Sequence, residues 1–243
     1  MPFALNLSDP LSRWRAESFW TKERETLRWL EFFSESFSEV ESTLIDVGAN
    51  IGIYSLYWLS LSSNVQVIAC EPFESNVELL RTNLSQNDWL SRAKIIDTPL
   101  YSDSLVGHPS ISDTRAGGSG YKFEELKEGD LKPKGFISSS TVDLVASGIQ
   151  GPMIVKIDVD GLDYEVLVGA KDSLESGQVR SVLIEATDEI HPQISSFLGD
   201  FGFIEDDLFN LLPGHSTIRR LETGVKERNK VYTVKELNNR IYV

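Results

Sequence analysis

The segment Leu44-Ile45-Asp46-Val47-Gly48-Ala49-Asn50-Ile51-Gly52 runs a hydrophobic stretch into a turn that holds two glycines and an asparagine. A strand, a turn of this kind and a helix together form the local architecture of a nucleotide site. Gly48 lets the backbone approach a ligand closely. Asn50 tolerates the left-handed conformation better than most side chains, and Gly52 admits a tight entry into the following helix. Phosphate-cradling turns commonly read Gly-x-Gly-x-x-Gly, so Asn50 between the two glycines weakens a pyrophosphate reading.

Charge points the same way. No lysine or arginine occurs between Arg28 and Arg81, while Asp46 opens the turn and Glu71 closes the second hydrophobic run. An acidic lining suits a sulfonium, an α-amino group and a neutral ribose better than a pyrophosphate, which makes S-adenosyl-L-methionine the expected cofactor. Glu71 follows Gly52 at the distance where an acidic side chain at a strand end accepts hydrogen bonds from both ribose hydroxyls. Phe73, after Pro72, offers an apolar face either for an adenine or for an ordinary packing contact. Asp46, Gly48, Asn50, Gly52, Glu71, Phe73 and Asp158 are thus the expected cofactor-binding residues.

A second charged strand end lies at Ile154-Val155-Lys156-Ile157-Asp158-Val159-Asp160-Gly161. Alternation places Lys156, Asp158 and Asp160 on one side, where they form either part of a site or a structural ion network. Asp158, Glu185 and His191 are the candidate proton acceptors, and Lys156 is the candidate for stabilising a developing alkoxide. Asp158, Asp160 and Asp163 do not follow the calcium-loop spacing, and no His-Glu-x-x-His or Gly-x-Ser-x-Gly occurs, so no metal is expected.

Those residues need strands to present them. Thr43 to Val47, Val65 to Cys70, Lys94 to Ile96, Met153 to Ile157 and Ser181 to Glu185 read as strands. Gly52 to Leu61, Glu74 to Gln86, Asp163 to Glu175 and Glu189 to Leu198 read as helices. Gly202 to Glu205 and Lys230 to Val234 are expected to finish the sheet as an antiparallel pair. Between Trp14 and Val40, the residues Trp20, Leu27, Leu30, Phe33 and Phe37 share one helical face, which packs beside the sheet or caps a cofactor pocket. The alternation predicts an α/β fold with a parallel sheet. Residues 1–243 read as a single domain, with 1–42 a helical extension. The stretch 103–136, rich in Ser, Gly and Pro and centred on Ala116-Gly117-Gly118-Ser119-Gly120, reads as an inserted loop that either contacts substrate or is simply solvated.

Ile45-Asp46-Val47-Gly48-Ala49-Asn50-Ile51-Gly52, Glu71-Pro72 and Lys156-Ile157-Asp158-Val159-Asp160-Gly161 together resemble the FkbM family of methyltransferases. Leu100-Tyr101-Ser102-Asp103, Thr141-Val142-Asp143, Glu165 to Ala170 and Leu183-Ile184-Glu185 extend the resemblance, although Asp160 stands where that family's pattern has glutamate. The resemblance implies a class I, Rossmann-like methyltransferase fold. Its mostly parallel seven-stranded sheet would carry helices on both faces and an antiparallel C-terminal strand. The implied reaction is O-methylation of a hydroxyl on a sugar, glycan or natural product.

A net charge of −14 repels phosphate backbones and anionic lipid, so a small-molecule or glycan hydroxyl acceptor is expected, with neither nucleic acid nor membrane insertion. The first residues lack the basic start and apolar run of a secretory signal, which favours the cytoplasm. Cys70, the only cysteine, sits in a strand-like run and reads as a buried hydrophobe. An NAD(P)-linked oxidoreductase using the same crevice and a non-catalytic interaction protein on the same fold are the alternatives.

Overall fold

Two helices, α1 (Pro10–Lys22) and α2 (Arg24–Ser36), precede the first strand of a computed structural model that describes residues 3–8, 10–111, 121–125, 137–210 and 228–237. The chain then alternates strand and helix through β1 (Ser42–Val47), α3 (Ile53–Leu61), β2 (Val65–Cys70), α4 (Glu74–Gln86) and β3 (Ala93–Ile96). After β4 (Val106–Ile111), β5 (Tyr121–Glu125) and β6 (Ile137–Ser138), the alternation resumes with α5 (Val142–Ala146), β7 (Met153–Ile157), α6 (Asp163–Val168), α7 (Lys171–Glu175) and β8 (Val179–Ala186). It ends with α8 (His191–Asp200), β9 (Phe203–Glu205), α9 (Asp207–Asn210) and β10 (Arg228–Val234).

Among the described residues the main sheet has seven strands in the order β3-β2-β1-β7-β8-β10-β9. The first five are mutually parallel, and β10 runs antiparallel to both β8 and β9. This is a Rossmann-like, mostly parallel sheet, so the expected α/β fold class and its antiparallel C-terminal strand are borne out. The order reverses between β1 and β7, and in open sheets of this kind ligands bind beyond the strand ends at such a point.

Every residue of β1 and of β7 is buried, as strands covered on both faces must be. Ile45, Val47, Val155 and Ile157 face one apolar layer with α5, α6, α7 and α8. Leu44, Ile154 and Leu183 face another with α2, α3 and α4. The period of two therefore assigns each strand residue to a layer, and it sends Asp46 and Lys156, paired in register across β1 and β7, to the α3 side.

Three local expectations change. Trp20 is 61% exposed and Phe19 is buried in its place, because the chain breaks at Glu23 and the aromatic stripe does not run through as one helix. The helix expected over Asp163–Glu175 divides into α6 and α7. Asp143 of α5 accepts hydrogen bonds from the backbone N–H groups of Asp172 and Ser173 at 3.0 and 2.7 Å, capping a second helix start from another part of the chain. Within 103–136, β4 and β5 pair antiparallel, and β6 just beyond joins β4 to complete a small separate sheet, so part of the expected loop is strand. The glycine-rich centre at Ala116–Gly120 lies outside the described residues.

Candidate functional site

A cavity of about 270 Å³ opens beyond the carboxyl ends of β1, β2, β7 and β8, where the strand order reverses. Gly48 and Asn50 come from the turn after β1, Glu71 and Phe73 from the end of β2, and Asn76 from α4. Thr98 to Leu100 follow β3, Asp158 to Asp160 and Leu162 follow β7, and Glu185 lies in β8. Arg15, Lys22 and Glu23 close one side from α1 and the junction to α2.

The turn after β1 is built by close approach. Gly48 has φ +79°, and a Cβ there would lie 1.9 Å from the carbonyl oxygen of Asp158, so β1 and β7 can converge only over a glycine. The N–H groups of Gly48 and Ala49 both donate to the carbonyl of Cys70 at 3.0 Å, and Asn50 takes φ +52°. Gly52 is the residue before α3, with φ +84°, and packs against Leu80 rather than lining the cavity.

Glu71 is the buried carboxylate of the site, 4% exposed. Its Oε2 accepts from the backbone N–H of Asn50 at 2.9 Å and its Oε1 from the backbone N–H of Phe73 at 3.0 Å, and the Asn76 side chain is a third partner. Burial pushes its pKa up, and the three hydrogen bonds and the charge of Arg15 oppose that shift. Two oxygens offer about four acceptor positions, so the carboxylate keeps acceptor capacity toward the cavity.

Asp46 was expected at the ligand and is instead sealed beneath the site. Strand alternation turns it toward α3, where it accepts a 2.6 Å hydrogen bond from the Ser55 hydroxyl. Its second oxygen has no hydrogen-bond partner and lies 3.7 Å from Lys156 Nζ. Lys156, 1% exposed, also reaches Asp158 at 3.0 Å and stands 5.2 Å from the centre of the Tyr54 ring. Burial disfavours the ammonium, but Asp158, Asp46 and Glu23 outweigh it and hold Lys156 protonated above its ordinary range. Glu23 pairs with Lys22 at 2.5 Å and accepts the Tyr54 hydroxyl at 2.6 Å.

Asp158 therefore stands at the mouth of a buried ion network. Burial raises its pKa, but the adjacent Lys156 ammonium, with Lys22 and Arg15, brings it below the ordinary aspartate value. Asp163 directs its two oxygens to the N–H groups of Val159 and Gly161 at 3.1 and 3.0 Å, which shapes the loop instead of collecting a cation. Among the described residues no three His, Cys, Asp or Glu side chains are arranged to hold a metal ion. Cys70 lines the cavity wall at 2% exposure, and burial pushes its thiol pKa up.

The structure thus brings Gly48, Asn50, Glu71, Phe73, Asp158 and Glu185 to one cavity, with Asp46 and Lys156 directly below. His191 is not brought there. It opens α8 and bonds Glu205 at 3.0 Å, and Glu205 is in turn paired with Lys230. Arg15, Lys22, Glu23 and Tyr54 were missed, and with them the cations that offset an acidic lining. The only signal for them was the helical face ahead of the first strand, read as a possible cap on the pocket.

The Methyltransferase FkbM domain matches residues 46–206 of the 243 in the chain. The chain belongs to this family. Among curated proteins, the FkbM-family chain is similar to methyltransferase sdnD of Sordaria araneosa. The two are 28% identical over 192 residues, which cover 66% of this chain and 73% of that one. Among solved structures it is similar to a precorrin-6y C5,15-methyltransferase from Geobacter metallireducens, at 11% identity and a TM-score of 0.45, covering 96% of this chain and 94% of that one. It is also similar to an rRNA methylase from Streptococcus thermophilus, at 10% identity and a TM-score of 0.46, covering 86% and 95%. Family membership makes the protein a methyltransferase and sets aside the oxidoreductase alternative. In this FkbM-family methyltransferase the matched segment contains Glu71, Asp158 and Glu185 but neither Arg15 nor Lys22. No helix of the described residues is long and apolar enough to cross a membrane.

Proposed function

We propose that the protein transfers a methyl group from S-adenosyl-L-methionine to a hydroxyl of a sugar, glycan or natural-product acceptor. The observation that carries this reading is the buried Glu71 carboxylate at the end of β2, fixed by the Asn50 and Phe73 N–H groups with acceptor capacity left toward the cavity. A nucleoside needs such a group for its ribose hydroxyls, and Phe73 and Leu100 supply apolar surface beside it. The remaining carboxylates along the wall suit a ligand with cationic groups.

When bound, the cofactor supplies a methyl already activated by its sulfonium. The chain's own work is to orient, to exclude water and to receive one proton. Alignment of this kind is worth about 7–11 kcal/mol, against about 10²–10⁴-fold from a positioned base. Asp158 is held ionised below the ordinary range, so it is a poor proton acceptor and a good fixed negative charge for the ammonium end of the donor. Lys156 stays protonated and sets the position of Asp158. Glu185 lines the cavity from β8, on the wall it shares with Asp158, and we assign it the proton. His191, committed to Glu205, takes no part.

Calorimetric titration with S-adenosyl-L-methionine and with NADPH tests the cofactor, and saturable binding of the first alone is expected. Glu71→Ala should weaken that binding at least about tenfold, the scale of a lost hydrogen bond to a charged group. Mass spectrometry across hydroxylated sugars and polyketide-like acceptors should then find a gain of one methylene. A folded wild-type protein that binds no S-adenosyl-L-methionine would overturn the reading.

A further inference from the structure

The cavity has two unlike ends. Phe73, Asn76, Thr98 and Pro99 border only the main hollow, whereas Arg15, Lys22, Gly48, Asn50 and Asp158 also border a smaller one of about 40 Å³ that continues beneath α1. Arg15, Ser18, Phe19 and Lys22 all line this smaller hollow, and their spacing of three, four and seven residues makes them a single face of α1. Phe19 locks that face in place, 4% exposed and packed edge-on against Phe3 and Tyr57.

Five carboxylates border the main cavity, from Glu23, Glu71, Asp158, Asp160 and Glu185. They suit an ammonium and hydroxyl donors but repel any carboxylate that enters with them. Among the described residues Arg15 and Lys22 are the only lysine or arginine side chains on its wall. The guanidinium of Arg15 acts on both Glu71 and Asp158, at the ends of two different strands, and Lys22 acts on Asp158 while pairing with Glu23. Both cations precede the segment matched to the family, so membership does not assign them a role.

We propose that Arg15 and Lys22 form the receptor for the α-carboxylate of the donor's amino-acid end, making α1 the element that selects a donor with an intact amino acid. The proposal rests on the cofactor reading above. Asp158 and the two cations then receive the opposite charges of one zwitterion. The planar guanidinium of Arg15 matches a carboxylate in two parallel hydrogen bonds, and the Lys22 ammonium adds a donor while keeping Glu23.

The test is calorimetric and needs no acceptor. Wild type, Arg15→Gln, Arg15→Lys and Lys22→Gln are titrated with S-adenosyl-L-methionine, with its decarboxylated analogue, and with 5′-methylthioadenosine, which lacks the amino-acid end. Arg15→Gln and Lys22→Gln should each weaken S-adenosyl-L-methionine about tenfold or more and leave the other two ligands within about twofold. The wild-type preference for the carboxylated donor should collapse, with Arg15→Lys intermediate. If Lys22→Gln fails to fold because Glu23 loses its partner, Arg15→Gln decides alone. Equal losses for all three ligands, or none, would overturn the proposal while leaving the cofactor assignment intact. Wild type that ignores S-adenosyl-L-methionine would instead remove the reading on which it rests.

Discussion

Lys156 shows how one buried charge sets the character of a site. Its ammonium is the counter-ion of Asp46, which is sealed, and of Asp158, which faces the cavity. Lys156→Met keeps most of the volume and removes the charge, leaving Asp46 buried with only Ser55. Breaking a buried pair in this way costs about 3–5 kcal/mol. Urea unfolding should show that loss, and adding Asp46→Asn should recover a large part of it. Strict additivity of the two substitutions would mean the pair is not coupled. Asp163 gives the pH dependence. Burial first, and the charge of Asp158 second, push its pKa up to about 6. The folded chain then holds this proton to higher pH than the unfolded chain, so the contribution is complete below the ordinary aspartate pKa and lost as pH rises through about 6. Relative to Asp163→Asn, wild type should therefore lose about 2 kcal/mol of stability between roughly pH 4 and pH 7. Parallel stability profiles for the two proteins would contradict the assignment.

At the scale of elements, the site depends on how closely β1 and β7 approach beyond the sheet. Gly48→Ala places a methyl 1.9 Å from the Asp158 carbonyl. That carbonyl cannot yield easily, because the N–H of the same residue is bonded to Val47 at 3.1 Å. Gly177, with φ +73° and nothing within 4 Å of a Cβ, isolates the backbone penalty. Gly177→Ala should cost about 1–2 kcal/mol, and Gly48→Ala clearly more, with loss of nucleoside binding. Denaturant midpoints that fall equally would show that the close approach is not what glycine provides. The requirement at Gly48 was legible in the sequence as a strand, turn and helix, and so were Glu71 and the five parallel strands, because each is a local pattern of period two or 3.6. The orientation of Asp46 was not, since a charge at a strand end can turn to either layer until its register partner Lys156 is known. The division of α6 from α7 depends on Asp143 arriving from α5, and the contribution of Arg15 and Lys22 depends on α1 folding back over the strand ends. These are contacts at long sequence separation, which no spacing along the chain encodes.

For the molecule as a whole, charge decides which acceptors can approach. The net charge of −14 surrounds a cavity whose two bordering cations among the described residues, Arg15 and Lys22, are already set against carboxylates of the same wall. A polyanion would gain little from Arg15 and Lys22 and would meet long-range repulsion over the remaining surface. Binding to transfer RNA or ribosomal RNA in retardation assays should therefore be weaker than the about 10⁻⁴–10⁻⁶ M of ordinary non-specific nucleic-acid binders at physiological salt. Salt offers a sharper discriminator, because each phosphate contact releases counter-ions and makes affinity fall steeply with ionic strength. A protein with six to ten such contacts loses about 10³–10⁵ in affinity between roughly 50 and 200 mM salt. With a neutral hydroxyl acceptor identified by the mass screen, kcat/KM should change by less than about twofold over that range, since no acceptor charge is there to be screened. A steep decline would mean that the acceptor is anionic and guided by cations beyond the two that α1 presents.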